Sequence, residues 1–206
     1  MTFTRKPQWL LIPLTTALGL LTACGSAPTT HYYTLTPPPA QMRAVSATPT
    51  PWVIDVQPVG VPEALDQPQI VIRQSDSSVL VLEQERWSGP LNQELRSALS
   101  AQLSRQLGTQ DVAGLSLPTD RDVLRIKVQV RRFEAWPGER VDLTADWTLV
   151  QSSDTSRRVN CRTERTETAG AGYAGMVSAQ QRLLSSLSQA IAATVSQWPQ
   201  AQCPAG

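Results

Sequence analysis

The chain has 206 residues, with 18 basic and 17 acidic side chains and a single histidine. This length suffices for one domain with a substantial core. The near balance of charge excludes the strongly basic surface typical of nucleic-acid-binding domains, so we expect no nucleic-acid partner.

The first 23 residues have the pattern of a bacterial lipoprotein signal peptide. Arg5 and Lys6 precede an apolar run over residues 10–21, which is shorter than the ~20 residues that a transmembrane helix needs. Leu-Thr-Ala then leads directly into Cys24, as in a lipobox. The pattern predicts cleavage after residue 23 (signal peptide 1–23) and acylation of Cys24. The alternative is an ordinary signal peptide followed by an incidental cysteine.

Acylation of Cys24 predicts attachment to a membrane, since each buried methylene group contributes ~0.8 kcal/mol. Gly25 follows the cysteine, where an aspartate would resemble an inner-membrane retention signal of enteric bacteria. We therefore expect a lipid-anchored protein at the outer membrane, facing the periplasm. Without residues 1–23 the chain keeps 16 basic and 17 acidic residues, a formal charge of −1.

The two remaining cysteines, Cys161 and Cys203, form an even pair in an oxidising compartment, which predicts a disulfide. Two unpaired thiols, or a bond to another molecule, are the alternatives. The chain has no C-x-x-C motif and no histidine near either cysteine, so a redox or metal site is not expected.

A lipidated tether is predicted over residues 24–51, with a short strand at 31–35 followed by a Pro-rich loop. The folded domain is predicted over 52–206. Its first strand, at 52–61, contains prolines that place it at a sheet edge or end it early.

Two apolar runs, at 69–74 and 79–83, are separated by a polar turn and predict a β-hairpin. A first helix is expected to begin with Ser88 as N-cap and to end at Gly108. A second helix is expected over 176–198. Their predicted buried positions are Leu91, Leu95, Leu99, Leu103 and Leu107 in the first, and Leu183, Leu184, Leu187, Ile191 and Val195 in the second.

Strands at 123–134 and 141–149 each alternate between an apolar and a charged face, and a polar third strand follows at 157–168. Trp147 belongs to the apolar face. On the wet face, Arg125, Lys127 and Arg131 are expected to pair with Asp142 and Asp146, which by itself describes a solvated surface without function. The element order predicts an α+β fold, a single domain in which two long helices pack on a mainly antiparallel sheet.

No enzyme signature is present. The Gly170–Gly175 segment matches G-x-G-x-x-G, but no acidic residue and no strand pattern follow it, so we interpret it as a turn. His31, the only histidine, lies on the predicted tether, where no scaffold would orient it for catalysis. We expect no catalytic residues, no cofactor and no metal. Trp136, beside a Pro-Gly turn, is a candidate partner contact; a partly buried aromatic at the strand end is the alternative.

Several segments together resemble the ABC-type transport auxiliary lipoproteins, the PqiC-like family. They are the lipobox, Tyr32-Tyr33-Thr34-Leu35 before a Pro-rich step, residues 65–73, Arg86-Trp87 before Pro90-Leu91, and Ala145-Asp146-Trp147. The similarity extends over nearly all of the chain after Cys24. Cys161 and Cys203 are not part of it.

The resemblance implies a non-enzymatic lipoprotein of a lipid-transport system, which docks an MCE-domain protein and its inner-membrane transport components at the outer membrane. It implies that any ATP is used by another subunit, and it is compatible with a homo-oligomer such as a ring. Two alternatives stay open: a periplasmic carrier that holds a lipid itself, and an envelope-assembly lipoprotein without a transport role.

Overall fold

The computed structural model describes residues 28–38, 50–118 and 120–204, besides the isolated residues 2 and 4. Cys24, the predicted signal peptide apart from residues 2 and 4, and most of the Pro-rich stretch lie outside the described residues. The elements in chain order are β1 His31–Tyr33, β2 Val53–Val56, β3 Gln69–Ser75, β4 Ser78–Trp87, α1 Leu91–Leu107, β5 Val123–Trp136, β6 Arg140–Gln151, β7 Asp154–Thr168 and α2 Gly172–Ser196.

The strands form two sheets, one of three strands in the order β1-β4-β3 and one of four in the order β2-β5-β6-β7. The pairs β3–β4, β5–β6 and β6–β7 are antiparallel, whereas the short edge strands β1 and β2 pair in parallel with β4 and β5. The predicted α+β, mainly antiparallel single domain is confirmed. β2 is an edge strand and ends two residues before Pro58.

One hydrophobic core joins both sheets to both helices. The five leucines predicted on the apolar face of α1, and the five aliphatic residues predicted on that of α2, are all buried. Trp147 is buried as expected, and its indole N–H donates a 2.9 Å hydrogen bond to the Thr163 hydroxyl, which satisfies the donor. Gly108 ends α1 in the left-handed conformation, with φ of 59°.

Ser88 does not cap α1, contrary to the prediction. The N-cap position is Pro90, which makes no side-chain capping bond. The Ser88 hydroxyl instead donates to the carboxylate of Glu94, in the first helical turn. Glu94 also accepts bonds from the Thr34 hydroxyl (2.8 Å) and the Leu35 amide (2.9 Å), so it ties the chain after β1 to the start of α1.

The outer face of the four-stranded sheet is only partly as predicted. Arg131 pairs with Asp146 at 2.8 Å, but Arg125 pairs with Asp55. Asp142 is buried rather than wet, because Arg132 and Arg140 lie 3.2 and 3.3 Å from it and Thr166 donates a further bond to it. The long arginine side chains fold over this carboxylate and exclude water from it.

A β-bulge interrupts β5 at Arg131. Val130 pairs with Ala145 and Arg132 pairs with Thr144, which leaves Arg131 as an extra residue without a cross-strand partner. Before the bulge the even-numbered residues of β5 face the core, and after it Phe133 and Ala135 do so. The bulge therefore shifts the alternation by one residue and bends the second half of the strand.

The G-x-G-x-x-G segment joins β7 to α2, where its glycines serve backbone packing. Gly172 has φ of 67°, a conformation that side chains disfavour. A Cβ on Gly175 would lie 2.6 Å from the carbonyl carbon of Gly170, so this turn has no room for a side chain. The following element is a helix that packs on β6 and β7, and the structure supplies a packing reason for the motif.

The structure contains a disulfide between Cys161, on the core side of β7, and Cys203, in the segment after α2. The Cα atoms are 5.4 Å apart and the cysteines are 42 positions apart in sequence. The bridge closes a loop that includes all of α2.

Removing this bridge is expected to destabilise the fold. The loop-closure estimate for a separation of 42 residues is about 4 kcal/mol of unfolding free energy. Guanidinium unfolding of the wild type should shift to lower denaturant on addition of dithiothreitol, while a Cys161→Ala/Cys203→Ala variant should unfold early in both conditions. An unfolding midpoint of the wild type that is unchanged by the reductant would contradict this prediction.

Gly175→Ala is expected to lower the free energy of unfolding by about 1–3 kcal/mol, because the added methyl group meets backbone atoms that cannot move aside. Gly89→Ala is the matched control, since the nearest atom to its Cβ is Glu94 Oε1 at 3.8 Å. Urea unfolding of both variants tests the prediction. Equal midpoints would show that the Gly170–Gly175 contact is not tight.

Candidate functional site

A groove of about 430 Å³ opens between the β3–β4 hairpin and the second half of β5. Most of its lining is apolar. The lining residues are Pro62, Ala64, Leu65, Gln67, Val71, Ile72, Arg73, Val79, Val81, Arg131, Arg132, Phe133, Glu134 and Ala135. Its size and apolar lining are those of a site for an acyl chain or for apolar side chains of a partner.

The groove exists because β5 is much longer than its neighbour β2. The β2 ladder ends at Val56, and after an isolated bridge between Gly60 and Gln129 the edge of β5 is open to the hairpin. The edge strand β3 packs there, and the Arg73 guanidinium donates a 2.5 Å hydrogen bond to Glu134. This bond raises the pKa of Arg73 above its usual value. The pair joins the two sheets across one side of the groove.

The three arginines at the groove's rim are all paired with carboxylates. Arg73 and Arg132 contact Glu134, at 2.5 and 3.9 Å, and Arg131 contacts Asp146 at 2.8 Å. Their charges are compensated before any ligand arrives. The groove is therefore better suited to an uncharged apolar group than to a phosphate.

Asp146 lies next to the rim and is bonded to two arginines. The Arg162 guanidinium donates bonds of 2.7 and 3.2 Å to it, and Arg131 donates one of 2.8 Å. These bonds, from Arg162 first and Arg131 second, lower the pKa of Asp146 to about 2. Asp146 thus holds the bulged residue of β5 in place.

The hairpin carries an exposed apolar run, Val79-Leu80-Val81, with 54%, 40% and 36% exposure. Val79 and Val81 share the face of β4 that lines the groove, opposite Arg73 and Val71 of β3. Leu80 belongs to the other face, with Ile72 as its cross-strand partner. Three consecutive exposed apolar residues on both faces of one strand form a surface that a water-facing hairpin does not need.

The N-terminal segment is attached to β4 at its other end. The Thr30 hydroxyl donates to Gln84 (2.9 Å), and His31 Nδ1 and the Tyr33 hydroxyl lie 2.9 and 2.6 Å from the two Glu85 oxygens. Burial, and then the bond to Glu85, raise the pKa of Tyr33 to about 12. Burial opposes ionisation of Glu85, but its bonds from Tyr33 and His31 lower its pKa overall.

The structure does not bring the predicted site residues together. Cys24 lies outside the described residues, and Cys161 and Cys203 do not line the groove. Trp136 follows Ala135, the last groove residue of β5, and is partly exposed with the Arg140 guanidinium 4.6 Å above its ring. Its role as a partner contact stays a prediction. Among the described residues no group of histidine, cysteine and acidic side chains could hold a metal ion.

The groove itself was not predicted from the sequence, because its walls come from segments that are far apart in the chain. One signal was available. Val79 to Leu82 is apolar at four consecutive positions, whereas a hairpin strand with one wet face should alternate. That break in alternation marks the groove side of β4.

Comparison with known proteins identifies the family. The profile described as "ABC-type transport auxiliary lipoprotein component" matches residues 33–192. The chain belongs to this family. The family is one of transport auxiliary lipoproteins, not of enzymes, and the resemblance stated from the sequence is confirmed.

Related proteins and structures agree with this assignment. The chain is 28% identical over 151 residues to the intermembrane transport lipoprotein PqiC of Escherichia coli, covering 73% of this chain and 78% of PqiC. PqiC of Shigella flexneri matches to the same extent. A crystal structure of an uncharacterized protein superposes with a TM-score of 0.63 at 25% identity, covering 81% of this chain and 98% of the other.

A structure from Xanthomonas campestris shares the fold, with a TM-score of 0.56 at 20% identity over 84% of this chain and 95% of its own. Within the part of the chain that the structure describes, no helix is both long enough and apolar enough to cross a membrane.

Asp146→Asn is expected to destabilise the protein by about 1 kcal/mol at neutral pH, since the carboxylate is partly exposed and its pairs are screened. A lowered folded-state pKa stabilises the fold above the unfolded pKa of ~3.9. That contribution is lost as pH falls towards about 2.

Urea unfolding of the wild type and of Asp146→Asn from pH 7 downwards tests this expectation. The difference in unfolding free energy should shrink below about pH 4. Asp120→Asn, at an exposed position, is the matched control. If the difference in unfolding free energy between the wild type and Asp146→Asn stayed constant down to the lowest pH measured, a role for the ionised carboxylate would be refuted.

Proposed function

We propose that this protein is the periplasm-facing, lipid-anchored subunit of an MCE-type lipid-transport system, which docks the transport assembly at the outer membrane and so supports envelope integrity. Cys24 would carry the acyl chains, and the proposed division is a signal peptide at 1–23, a lipidated tether at 24–51 and the auxiliary domain at 52–206. The observation that carries the proposal is the family match over residues 33–192. The name of the PqiC relatives, intermembrane transport lipoprotein, supports the same role.

The groove supplies a surface for such docking. Its floor includes the half-buried Val71 and the exposed Val81, and the Arg73–Glu134 pair closes one side. An apolar segment of the MCE-domain partner or of an inner-membrane component would remove the side chains of Val71 and Val81 from water. Burial of each would contribute about 1.5–3 kcal/mol at most. The charged rim would exclude partners that do not match its paired charges.

A second candidate function is a carrier that holds a lipid acyl chain in the groove. The observation that favours it is the apolar volume of about 430 Å³, which exceeds the ~300 Å³ at the lower end of small-molecule sites. Compensation of the rim arginines makes the acyl chain, rather than the headgroup, the part that the groove would bind.

One purification distinguishes the two functions. The full-length protein with a C-terminal tag is purified from whole cells lysed in a mild detergent, in four forms: wild type, Cys24→Ala, Val81→Asp and Leu115→Asp. Leu115 is the matched control because it is exposed and apolar but does not line the groove. Co-purifying proteins are identified by mass spectrometry, and lipids are extracted from the Cys24→Ala form, which would have no covalent acyl chains.

We expect an MCE-domain protein with the wild type and with Leu115→Asp, but little with Val81→Asp or Cys24→Ala. Recovery with all four forms would place docking outside the groove and make the anchor dispensable for it. Stoichiometric lipid without a protein partner would favour the carrier. Absence of both would refute the proposed function.

A further inference from the structure

We propose that the tip of the β3–β4 hairpin is a second membrane contact, in which Val79 and Leu80 enter the surface of the same bilayer that holds the acyl anchor. The inference rests on the proposed acylation of Cys24. The tip would bind a phospholipid surface. This contact adds to the proposed function, because it would set the orientation of the domain relative to the membrane.

The strand register shows which way the tether leaves the domain. β1 is parallel to β4, with His31 opposite Glu85 and Tyr33 opposite Trp87. Parallel pairing means that the chain before His31 runs back along β4 towards its first residue, Ser78. The Thr30–Gln84 hydrogen bond of 2.9 Å continues the pairing by one position in that direction. The tether therefore leaves on the side of the hairpin tip.

The chain between Pro28 and Cys24 is short. Four residues span at most about 14 Å when fully extended. The acyl-bearing residue, and with it the bilayer surface, must lie within that distance of Pro28. Extending the β1–β4 register places Pro28 level with Leu82, so the hairpin tip projects four strand positions, about 13 Å, beyond it. The tip therefore projects as far as the tether can reach.

The position of β1 is fixed, so this geometry does not depend on a loosely attached strand. Glu85 is bonded to both His31 and Tyr33, and the Ser88 amide donates a 2.8 Å bond to the Tyr33 carbonyl. Glu94 holds the chain immediately after β1. The tether and the hairpin are thereby attached to one rigid sheet.

The chemistry of the tip suits lipid better than water. Val79 and Leu80 are 54% and 40% exposed and belong to opposite faces of β4, so each face of the hairpin end presents one exposed apolar side chain. The turn itself, residues 74–78, is polar and contains one acidic residue, Asp76, and no basic one. Arg73, the cross-strand partner of Val79, is paired with Glu134 and is not free to bind headgroups. Attraction to anionic headgroups therefore does not contribute, and we expect shallow apolar insertion that is insensitive to salt.

The test uses the full-length, lipidated protein with a fluorescent NBD group at one introduced thiol. Leu80→Cys and Val79→Cys report from the two faces of the tip. Leu115→Cys is the matched control, because it is an exposed apolar residue in the loop after the Ile54–Asp111 bridge, near the start of β5 rather than its end. Vesicles of phosphatidylethanolamine with a minor fraction of phosphatidylglycerol carry doxyl quenchers near the headgroups, and flotation and intact mass verify the anchor.

Both tip labels should emit at shorter wavelength and lose about half of their fluorescence to the quencher, at a depth of ~5–10 Å, with or without added salt. The Leu115→Cys label should do neither. Floating protein whose tip labels behave like the Leu115→Cys label would overturn the membrane contact while leaving the proposed function intact.

A blue shift without doxyl quenching would also overturn it, since the tip would then contact protein, either a second copy or a partner. If the intact mass shows no acyl chains and the protein does not float with the vesicles, the acylation of Cys24 is refuted. The proposed anchoring and this inference are then refuted with it.

Discussion

The geometry of this domain depends on one extra residue in β5. Arg131 has no cross-strand partner, and its insertion changes which residues of the strand face the helices. Without it, Arg132 and Glu134 would point into the core, while Phe133 and Ala135 would point into water, because a one-residue shift reverses every side chain of a strand. The bulge therefore allows β5 to serve two neighbours in succession, β2 in its first half and the β3–β4 hairpin in its second. The groove between the sheets is a consequence of that change of neighbour.

Much of the architecture was predictable because it follows from local periodicity. The leucines of α1, the aliphatic residues of α2, the apolar face of β6 and the alternation of β5 up to its bulge were assigned correctly. Ser88 was assigned wrongly because capping depends on where a side chain reaches, and Glu94 offers its hydroxyl a better partner than the helix amides do. Asp142 was assigned wrongly because flanking arginines, not its own alternation, determine its burial.

The groove could not be predicted for a different reason. The groove is lined by residues 62–67 and 131–135, and no local sequence pattern predicts that these two segments are neighbours. A bulge also leaves little trace in a sequence, since Arg131-Arg132 looks like any charged pair. The apolar run at Val79–Leu82 was a visible deviation from a hairpin pattern, and it becomes interpretable only when the position of β5 is known. Sequence patterns thus identified the elements, and long-range packing determined where a ligand or partner can bind.

The parallel pairing of β1 with β4 has a mechanical consequence. A protein tethered at its N-terminal end is pulled along the axis of β1 whenever the domain is displaced from its anchor point. Force in that direction loads the inter-strand bonds and the Glu85 contacts in shear, so they resist together rather than opening one after another. The same short strand would peel apart easily if it were pulled sideways. The fold would therefore resist tension best in the direction in which the proposed tether transmits it.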